Sequence, residues 1–392
     1  MARSVVIVAR GTESYGVLTK LTSLGEELSR RGWSVTAYSV GEGEYADRFR
    51  AILRDDVVVE QSVPETFNAE RYGRLVAYAR VLKSSFAFGW KLRRFIRRSR
   101  FDAALFCEHG MVLPIAASVM GLDTKFFWLM PNIVSDNYPA DINRRLYGIA
   151  FKLSGMVPVG NSAYTLTTLG TSGAHGSYIN LGVDPKRFDQ VQARPTCFPV
   201  KVDPAAVHLL IAARMHPEKG QLQMVEALLS HPDLAAIHLI LCGGPLETPY
   251  AQSILAAAER LGGSHRLHML GSFAETAPFY ALADVVASVR IDPEPFGLSI
   301  VEAMHSAKPV LAHRLGGPDE IVVDGETGWL IDDMAEESLV LGLRRMLSSR
   351  DRWPEMGRAA QRRAQELYTV SAMTTQVEAV ITKHLNRILP ER

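Results

Sequence analysis

A turn between Arg214 and Gly220 carries two cations directly after a predicted strand. Arg214 and Lys219 lie on either side of Pro217, so both charges can converge on one anion. A phosphate or diphosphate is the ligand that suits such a pair. Ordinary surface charge is the alternative for a lone Arg and Lys, and the turn and strand favour convergence.

A second segment surrounds a Pro-Phe-Gly turn, with Glu294 before it and Glu302 eight residues later. A helix that starts near Gly297 directs the free N–H groups of Gly297, Leu298 and Ser299 at its ligand, and its dipole favours an anion there. Glu294 would face that ligand from the loop, and Glu302 could accept hydrogen bonds from hydroxyls further along it. The alternative is a capping acid and a surface acid without a ligand.

The elements that position these residues follow one pattern. Apolar β-branched stretches alternate with helix-period stretches, which is typical of βαβ units and parallel sheets. The predicted strands are 5–9, 34–39, 57–60, 103–107, 125–129, 156–159, 208–212, 237–242, 265–270, 284–288 and 309–313.

The alternation stops between residues 188 and 205, where three prolines interrupt the chain as in an interdomain connection. We therefore predict an α/β chain with two doubly wound, parallel-sheet domains, residues 1–190 and 206–370, facing each other across a cleft. Ligands of such sheets bind at the carboxyl ends of the strands.

Composition excludes several classes of protein. The chain of 392 residues is 47% hydrophobic and 22% charged, which is ordinary globular usage. Its apolar runs fall short of the roughly 20 residues of a spanning helix, and the N-terminus lacks a secretory signal pattern, so we expect a cytoplasmic protein. Three widely spaced cysteines offer neither a disulfide framework nor a CxxC metal site.

The net charge of +1 is the sum of two unlike halves. Residues 1–200 carry 25 Lys+Arg and 18 Asp+Glu, whereas residues 201–392 carry 18 and 24. The excess is concentrated in residues 71–100, with ten Lys+Arg, six aromatic residues and no Asp or Glu.

Residues 71–100 are predicted to be helical, with a break near Gly89. Lys91, Arg94 and Arg98 fall close to one stripe. Leu92, Phe95 and Ile96 fall on another. A solvated basic face, docking on an anionic membrane, and capture of an acidic soluble acceptor remain open. No nucleic-acid-binding module accompanies the charge.

The ordered set of motifs resembles the retaining nucleotide-sugar glycosyltransferases of family 4, which have the GT-B architecture of two Rossmann-like domains. The resemblance covers about residues 1–370. The motifs that carry it are Arg214–Gly220, Glu294–Glu302, Lys308-Pro-Val, Gly316–Glu320, Asp324–Gly328, Asn161–Thr165 and Asn180–Phe188.

This resemblance implies a role for each matching position in the second half. Arg214 and Lys219 would bind the diphosphate of the donor, and Glu294 would accept hydrogen bonds from the transferred sugar. The amides of Gly297 to Ser299, with Leu298 between them, would hold the phosphates and the sugar. Glu302 would hold the ribose.

In the first half, Gly16 matches the second glycine of the family's N-terminal pair, where the backbone approaches the donor. The first glycine is Tyr15 here, which gives a bulkier loop beside the acceptor. The family often places a histidine after a strand near the transferred sugar, but residues 126–132 contain none. His109 follows the preceding strand and lines the cleft or is purely structural.

The resemblance implies retaining, metal-independent, front-face transfer of a hexosyl group from a UDP- or GDP-linked sugar to a glycan, lipid-linked or small-molecule acceptor. The nucleotide sugar is a co-substrate and no cofactor is expected. We expect helix 371–392 to pack on the first domain. Peripheral contact with the inner membrane face through residues 71–100 is a further expectation.

Three other classes remain as alternatives. A nucleotide-sugar epimerase would need an acid and a base across the cleft, and the sequence shows no such pair. A non-catalytic binding protein would keep Arg214 and Lys219 without donor turnover. A dinucleotide oxidoreductase is disfavoured because no GxGxxG follows the first strand or Leu239–Pro245.

Overall fold

The computed structural model describes residues 3–11, 15–53, 56–61, 74–134, 141–189, 203 and 205–386. The chain divides into two compact units, residues 1–181 with 370–392 and residues 182–369. Most of the predicted connection at 188–205 lies outside the described residues. No helix among those described is both long and apolar enough to span a membrane.

Residues 182–189, which we predicted in the first domain, pack with the second unit. The Val183 N–H donates to the Tyr368 carbonyl over 3.0 Å. The Phe188 ring stacks on that of His305 with 6.0 Å between centroids. These contacts anchor the segment before the Rossmann strands of that unit begin.

The first unit has one sheet of seven parallel strands in the order β3-β2-β1-β4-β5-β6-β7. Its strands are β1 Ser4–Arg10, β2 Ser34–Val40, β3 Val57–Glu60, β4 Ala103–Phe106, β5 Lys125–Leu129, β6 Val157–Gly160 and β7 Ser177–Tyr178. Its helices are α1 Tyr15–Arg30, α2 Glu44–Leu53, α3 Arg74–Ser99, α4 Val112–Val119, α5 Ile142–Ser154, α6 Ala163–Thr167 and, at the end of the chain, α15 Val370–Asn386.

The second unit has one sheet of six parallel strands in the order β10-β9-β8-β11-β12-β13. Its strands are β8 Val207–Ala212, β9 Ile237–Cys242, β10 Leu267–Gly271, β11 Val285–Ser288, β12 Val310–His313 and β13 Gly328–Ile331. Its helices are α7 Lys186–Asp189, α8 Gln221–Leu229, α9 Pro249–Arg260, α10 Ala277–Leu282, α11 Leu298–His305, α12 Pro318–Ile321, α13 Glu336–Ser348 and α14 Trp353–Leu367.

Continuous apolar strands such as β1 and β8 are buried because helices cover both faces of a parallel sheet. Both sheets have the doubly wound order, in which the strand sequence reverses beside the first strand. The reversal lies between β1 and β4 in the first sheet and between β8 and β11 in the second. Ligands of such folds bind at the carboxyl ends of these strands, which selects the loops that follow them.

Helix α3 covers one face of the first sheet and confirms the predicted stripes. Lys91, Arg94 and Arg98 are exposed, whereas Leu92 and Ile96 are buried in the core. The predicted break near Gly89 is wrong, because α3 continues through it. A Cβ at Gly89 would lie 2.0 Å from the Ser118 Oγ, so this glycine permits close packing of α3 on α4.

Candidate active site

The loop after β8 forms a tight turn that presents its charged side chains at the carboxyl edge of the second sheet. His216 Nδ1 accepts a hydrogen bond from the Glu218 N–H over 3.4 Å, and Pro217–Lys219 form one 3-10 turn. Gly220 has φ of +68°, and a Cβ there would lie 2.0 Å from the Val289 carbonyl oxygen. Only glycine therefore lets this loop lie directly against the residues that follow β11.

Lys219 and Glu294, predicted from separate motifs, form an ion pair. The Lys219 Nζ lies 2.9 Å from the Glu294 Oε2, and the two side chains are only 20% and 15% exposed. Both residues follow strands that are neighbours at the reversal of the sheet. The fold thus brings the two sequence motifs into one place.

Arg290 is a member of this cluster that the sequence motifs did not identify. Its guanidinium lies 3.3 Å from the Glu218 carboxylate and 3.8 Å from that of Glu294. The Arg290 carbonyl accepts a hydrogen bond from His313 Nδ1 over 2.6 Å. The overlooked signal is its position two residues after a predicted strand, the same spacing that places Arg214 after β8.

Five side chains thereby form one linked charge network. Arg214 is 65% exposed and lies 3.8 Å from Glu218, which connects it through Arg290 to Glu294 and Lys219. Three cations and two carboxylates leave an excess of positive charge at the sheet edge. Such an edge can accept an anionic group from solvent beside the exposed Arg214.

Backbone contacts fix Glu294 beside the start of α11. Its N–H donates to the Leu315 carbonyl over 3.0 Å, and its carbonyl accepts from the Gly317 N–H over 2.8 Å. Gly316 has φ of +99°, and a Cβ there would lie 2.3 Å from the Glu294 oxygen. The Gly316-Gly317 motif is therefore a requirement of this close backbone approach.

Helix α11 begins at Leu298 after the buried Gly297, which has φ of +110°. Leu298 and Ser299 are partly exposed in its first turn. Because the N–H groups of a first turn have no partner within the helix, this end is suited to an anion. The predicted helix start at Gly297 is confirmed within one residue.

Glu302 is held by Tyr280, which lies outside the sequence motifs, and by Arg187, which lies in the Asn180–Phe188 motif. The Tyr280 hydroxyl donates to its Oε2 over 2.8 Å, and the Arg187 guanidinium lies 3.4 Å from its Oε1. Burial raises the pKa of the Glu302 carboxyl, while the hydrogen bond from Tyr280 and the charge of Arg187 act in the opposite direction. Neither partner shares a sequence motif with Glu302, so tertiary structure alone identifies them.

Cys242 is the last residue of β9, and the charge of Glu302 affects the pKa of its thiol. Burial and then that charge raise the pKa of the Cys242 thiol to about 11. At pH 7 this favours the neutral thiol over the thiolate that would act as a nucleophile. Among the described residues, no group of three or more His, Cys, Asp or Glu is arranged to hold a metal ion.

His109 lies at the carboxyl edge of the first sheet, immediately after β4. Its ring contacts Trp128 edge-on with 4.9 Å between centroids and is hydrogen bonded to the Asn132 backbone. Burial lowers the pKa of His109 to about 4, against the smaller effect of that hydrogen bond, so its ring is neutral at pH 7. Its Nε2 is buried without a hydrogen-bond partner among the described residues.

The other predicted residues of the first unit lie at the neighbouring strand end. Gly16 is partly exposed in the first turn of α1. Tyr15 starts that helix, and its side chain lies outside the described residues. Arg10 and Glu108, at the ends of β1 and β4, form an ion pair of 2.5 Å across the reversal of the sheet.

Comparison with known proteins shows a likeness that is confined largely to the second unit. Residues 202–363 match the family described as Glycosyl transferases group 1. The lipopolysaccharide 1,2-N-acetylglucosaminetransferase of Salmonella typhimurium is 32% identical over 155 residues, which are 38% of this chain and 41% of the relative. The D-inositol 3-phosphate glycosyltransferase of Corynebacterium diphtheriae is 34% identical over 167 residues, 42% of this chain and 38% of the relative. The chain thus spans about two fifths of the length of these relatives.

Solved structures match the whole chain in fold. A glycosyltransferase from Rickettsia africae has a TM-score of 0.77 at 18% identity and covers 98% of this chain and 99% of its own. Anabaena HepE in complex with UDP-glucose has a TM-score of 0.72 at 19% identity, and the match covers 97% of this chain and 99% of the HepE chain. The prediction of two Rossmann-like parallel-sheet domains of the GT-B kind is confirmed, and residues 202–363 carry the likeness to group 1 glycosyl transferases.

Proposed function

We propose that this protein is a retaining glycosyltransferase that moves a hexosyl group from a UDP- or GDP-linked sugar to a glycan, lipid-linked or small-molecule acceptor. The observation that carries the proposal is the charge network of Arg214, Glu218, Arg290, Glu294 and Lys219. It stands at the carboxyl edge of a Rossmann sheet, in the segment that matches the glycosyl transferase family. Anabaena HepE, whose fold is similar, has been solved with UDP and with UDP-glucose.

In this function the second unit binds the donor. Arg214 and Lys219 hold the diphosphate together with the amides of Gly297, Leu298 and Ser299 at the start of α11. Glu294 accepts hydrogen bonds from the transferred sugar. The carboxylate of Glu302, kept in place by Tyr280 and Arg187, accepts them from the ribose.

Transfer with retention follows front-face attack. The bond between the anomeric carbon and the phosphate oxygen breaks as the acceptor oxygen bonds to the same face of that carbon. The acceptor's proton passes to the departing phosphate oxygen, so no protein nucleophile is required. Negative charge grows on the diphosphate, and Arg214, Lys219 and the α11 amides stabilise it without a metal cofactor.

In the same proposal the first unit binds the acceptor. Gly16 gives close backbone approach, Tyr15 shapes the acceptor loop, and His109 contributes to the contact with the acceptor or the transferred sugar. The basic residues 71–100 meet the acceptor or the membrane that carries it, which fits a cytoplasmic protein peripheral on the inner membrane face. An acceptor linked to lipid is the class that would benefit from such contact.

A screen of purified protein against UDP-, GDP- and ADP-sugars tests the proposal through slow donor hydrolysis and through binding. We expect cleavage of one donor, and Lys219→Ala to lower turnover roughly 10²-fold or more because a preorganised charge stabiliser is lost. Arg358→Ala, an exposed cation on α14, is the matched control and should leave turnover unchanged.

The same screen separates the rival classes. Donor binding without cleavage, with or without added acceptors, would identify a binding protein. Conversion of the donor into its epimer would identify an epimerase. Wild-type turnover in Lys219→Ala would remove the assigned role of the charge network.

A further inference from the structure

Three neighbouring helices of the first unit expose an unusual number of large apolar side chains. Helix α3 packs on α4, and α4 packs on α5. Each also contributes to one core against the same face of the sheet, through Phe88 and Leu92 of α3, Val112 and Ile115 of α4, and Phe151 of α5. Their solvent sides therefore point away from the sheet together, and we call this surface the outer face of α3, α4 and α5.

Helix α5 carries the clearest apolar row. Ile142, Leu146, Ile149 and Leu153 are 52%, 42%, 56% and 65% exposed. The spacing i, i+4, i+7, i+11 places all four on one side of the helix, whereas Phe151 on its other side is buried. A helix in a soluble domain normally turns such a row towards its core, so this row is suited to a partner.

The neighbouring helices continue the apolar surface. Phe86 and Trp90 of α3 are 54% and 63% exposed, and Leu113 of α4 and Met120 after it are 38% and 44% exposed. In the second unit the exposed large apolar residues are on separate elements, such as Leu255 on α9 and Leu341 on α13. The clustering is thus a property of the outer face.

The three helices of the outer face carry charge of a single sign. Helices α3, α4 and α5 contain no Asp or Glu. The exposed cations Arg145 and Lys152 lie beside the apolar row of α5, and Lys83, Arg94 and Arg97 lie among the aromatic residues of α3. Of the acidic residues near these helices, Asp141 pairs with Arg144 and Glu60 with Lys91, while Asp123 is exposed in the loop after α4.

We propose that the outer face of α3, α4 and α5 docks on an anionic lipid bilayer, with the apolar row of α5 entering the boundary between headgroups and acyl chains. Leucine, isoleucine and tryptophan side chains favour that depth, and Lys and Arg beside them attract anionic headgroups. Charge complementarity selects lipid over a second copy of this chain, because two like-charged faces repel each other. This proposal rests on the membrane contact proposed above for residues 71–100, which it extends to α4 and α5, and it holds whichever donor the second unit binds.

Co-sedimentation of the full chain with vesicles tests this docking. We expect binding to phosphatidylcholine vesicles containing a quarter phosphatidylglycerol, much weaker binding to pure phosphatidylcholine, and weakening by added salt. Ile149→Gln with Leu153→Gln should reduce partition at least tenfold, because two apolar side chains no longer leave water. Leu255→Gln with Leu341→Gln, a pair in the second unit that is 45% and 60% exposed, should leave the partition unchanged.

A second pair of variants tests the charge. Arg94→Gln with Arg98→Gln should weaken binding to anionic vesicles by roughly tenfold or more, since each cation near the surface contributes about fivefold. Arg358→Gln with Arg362→Gln, exposed cations with the same spacing on α14, should not. Circular dichroism and UDP binding of each variant establish that the chain is folded and that a loss is local to the outer face.

Three outcomes would overturn the proposal. These are absence of vesicle binding by the wild-type chain, equal binding by the α5 variant, and a stable dimer that the α5 variant dissociates, measured by light scattering. Absence of both UDP and GDP binding by the wild-type chain, with vesicle binding intact, would instead count against the glycosyltransferase function. The two proposals therefore fail separately.

Discussion

Arg290 acts at the residue scale as the connection between two carboxylates of the candidate site. It contacts Glu218 and Glu294 at once, so its removal leaves both with less compensation and frees Glu294 from its position beside Lys219. Arg290→Met should lower kcat/KM for the donor about tenfold or more. Arg290→Lys should recover part of the lost kcat/KM, because lysine keeps the positive charge but lacks the planar guanidinium that contacts two carboxylates at once. Steady-state kinetics measure both.

Arg314 supplies the control for that variant. It also bridges two carboxylates of the second unit, Asp319 and Asp332, but it is 44% exposed and outside the charge network. Arg314→Met should keep the wild-type kcat/KM. Equal kinetics for Arg290→Met and the wild type would show that Arg290 has no part in the site.

His109 gives the first unit a dependence on pH. Its pKa of about 4 in the fold lies below the roughly 6.5 of an unfolded histidine, so the unfolded chain binds the extra proton between these values. The free energy of unfolding should therefore fall as pH drops from 6.5 towards 4, by up to about 3 kcal/mol from this group. In the His109→Gln chain the free energy of unfolding should fall less steeply over the same pH range. Urea titrations at several pH values, with hydrogen exchange of β4 as the readout, measure this. Parallel pH profiles in both chains would contradict the assignment.

At the scale of elements, Gly220 joins the loop after β8 to the residues after β11. Gly220 and Gly262 share φ of +68°, but a Cβ at Gly262 meets nothing within 4 Å. Gly262→Ala should cost about 1 kcal/mol of unfolding free energy from backbone strain alone. Gly220→Ala adds a clash with the Val289 carbonyl, so it should cost about 2–4 kcal/mol and weaken donor binding. Thermal unfolding and calorimetry with UDP distinguish these effects, and equal losses in both variants would disprove the close approach.

Sequence patterns predicted the long buried strands because an apolar β-branched run is most stable as a buried strand of a parallel sheet. They missed β7, which has two residues, and β13, whose Gly-Trp-Leu-Ile follows a glycine turn and is too short to show a period. Gly89 was misread as a break because a glycine at a close helix contact looks the same in sequence. Lys219 and Glu294 were found from local motifs, whereas Arg187 and Tyr280 reach Glu302 only through tertiary folding.

At the scale of the whole molecule, the first unit depends on the last described helix of the chain. Glu378 of α15 accepts hydrogen bonds from Arg31 over 2.6 Å and from the Trp33 indole over 2.7 Å. Glu378→Gln should lower the stability of the first unit by about 1–3 kcal/mol, because a partly buried charged contact is lost. Hydrogen exchange should then accelerate in β1 and remain unchanged in β8.

Glu366 of α14 is the matched control for this prediction. It is exposed and belongs to the second unit, so Glu366→Gln should leave exchange in both β1 and β8 unchanged. Faster exchange in β8 of the Glu378→Gln chain, with β1 unaffected, would contradict the division into units.

The return of α15 to the first unit also fixes an order of events on the ribosome. Residues 182–369 leave the exit tunnel before Val370–Asn386 do, so all residues of the second unit are available for folding before those of the first unit are. The first unit stays incomplete, with the surface beneath α15 uncovered, until that helix has emerged. A nascent chain that lacks α15 would therefore expose the surface that this helix covers in the folded first unit, and transiently exposed apolar surface of this kind is what chaperones bind.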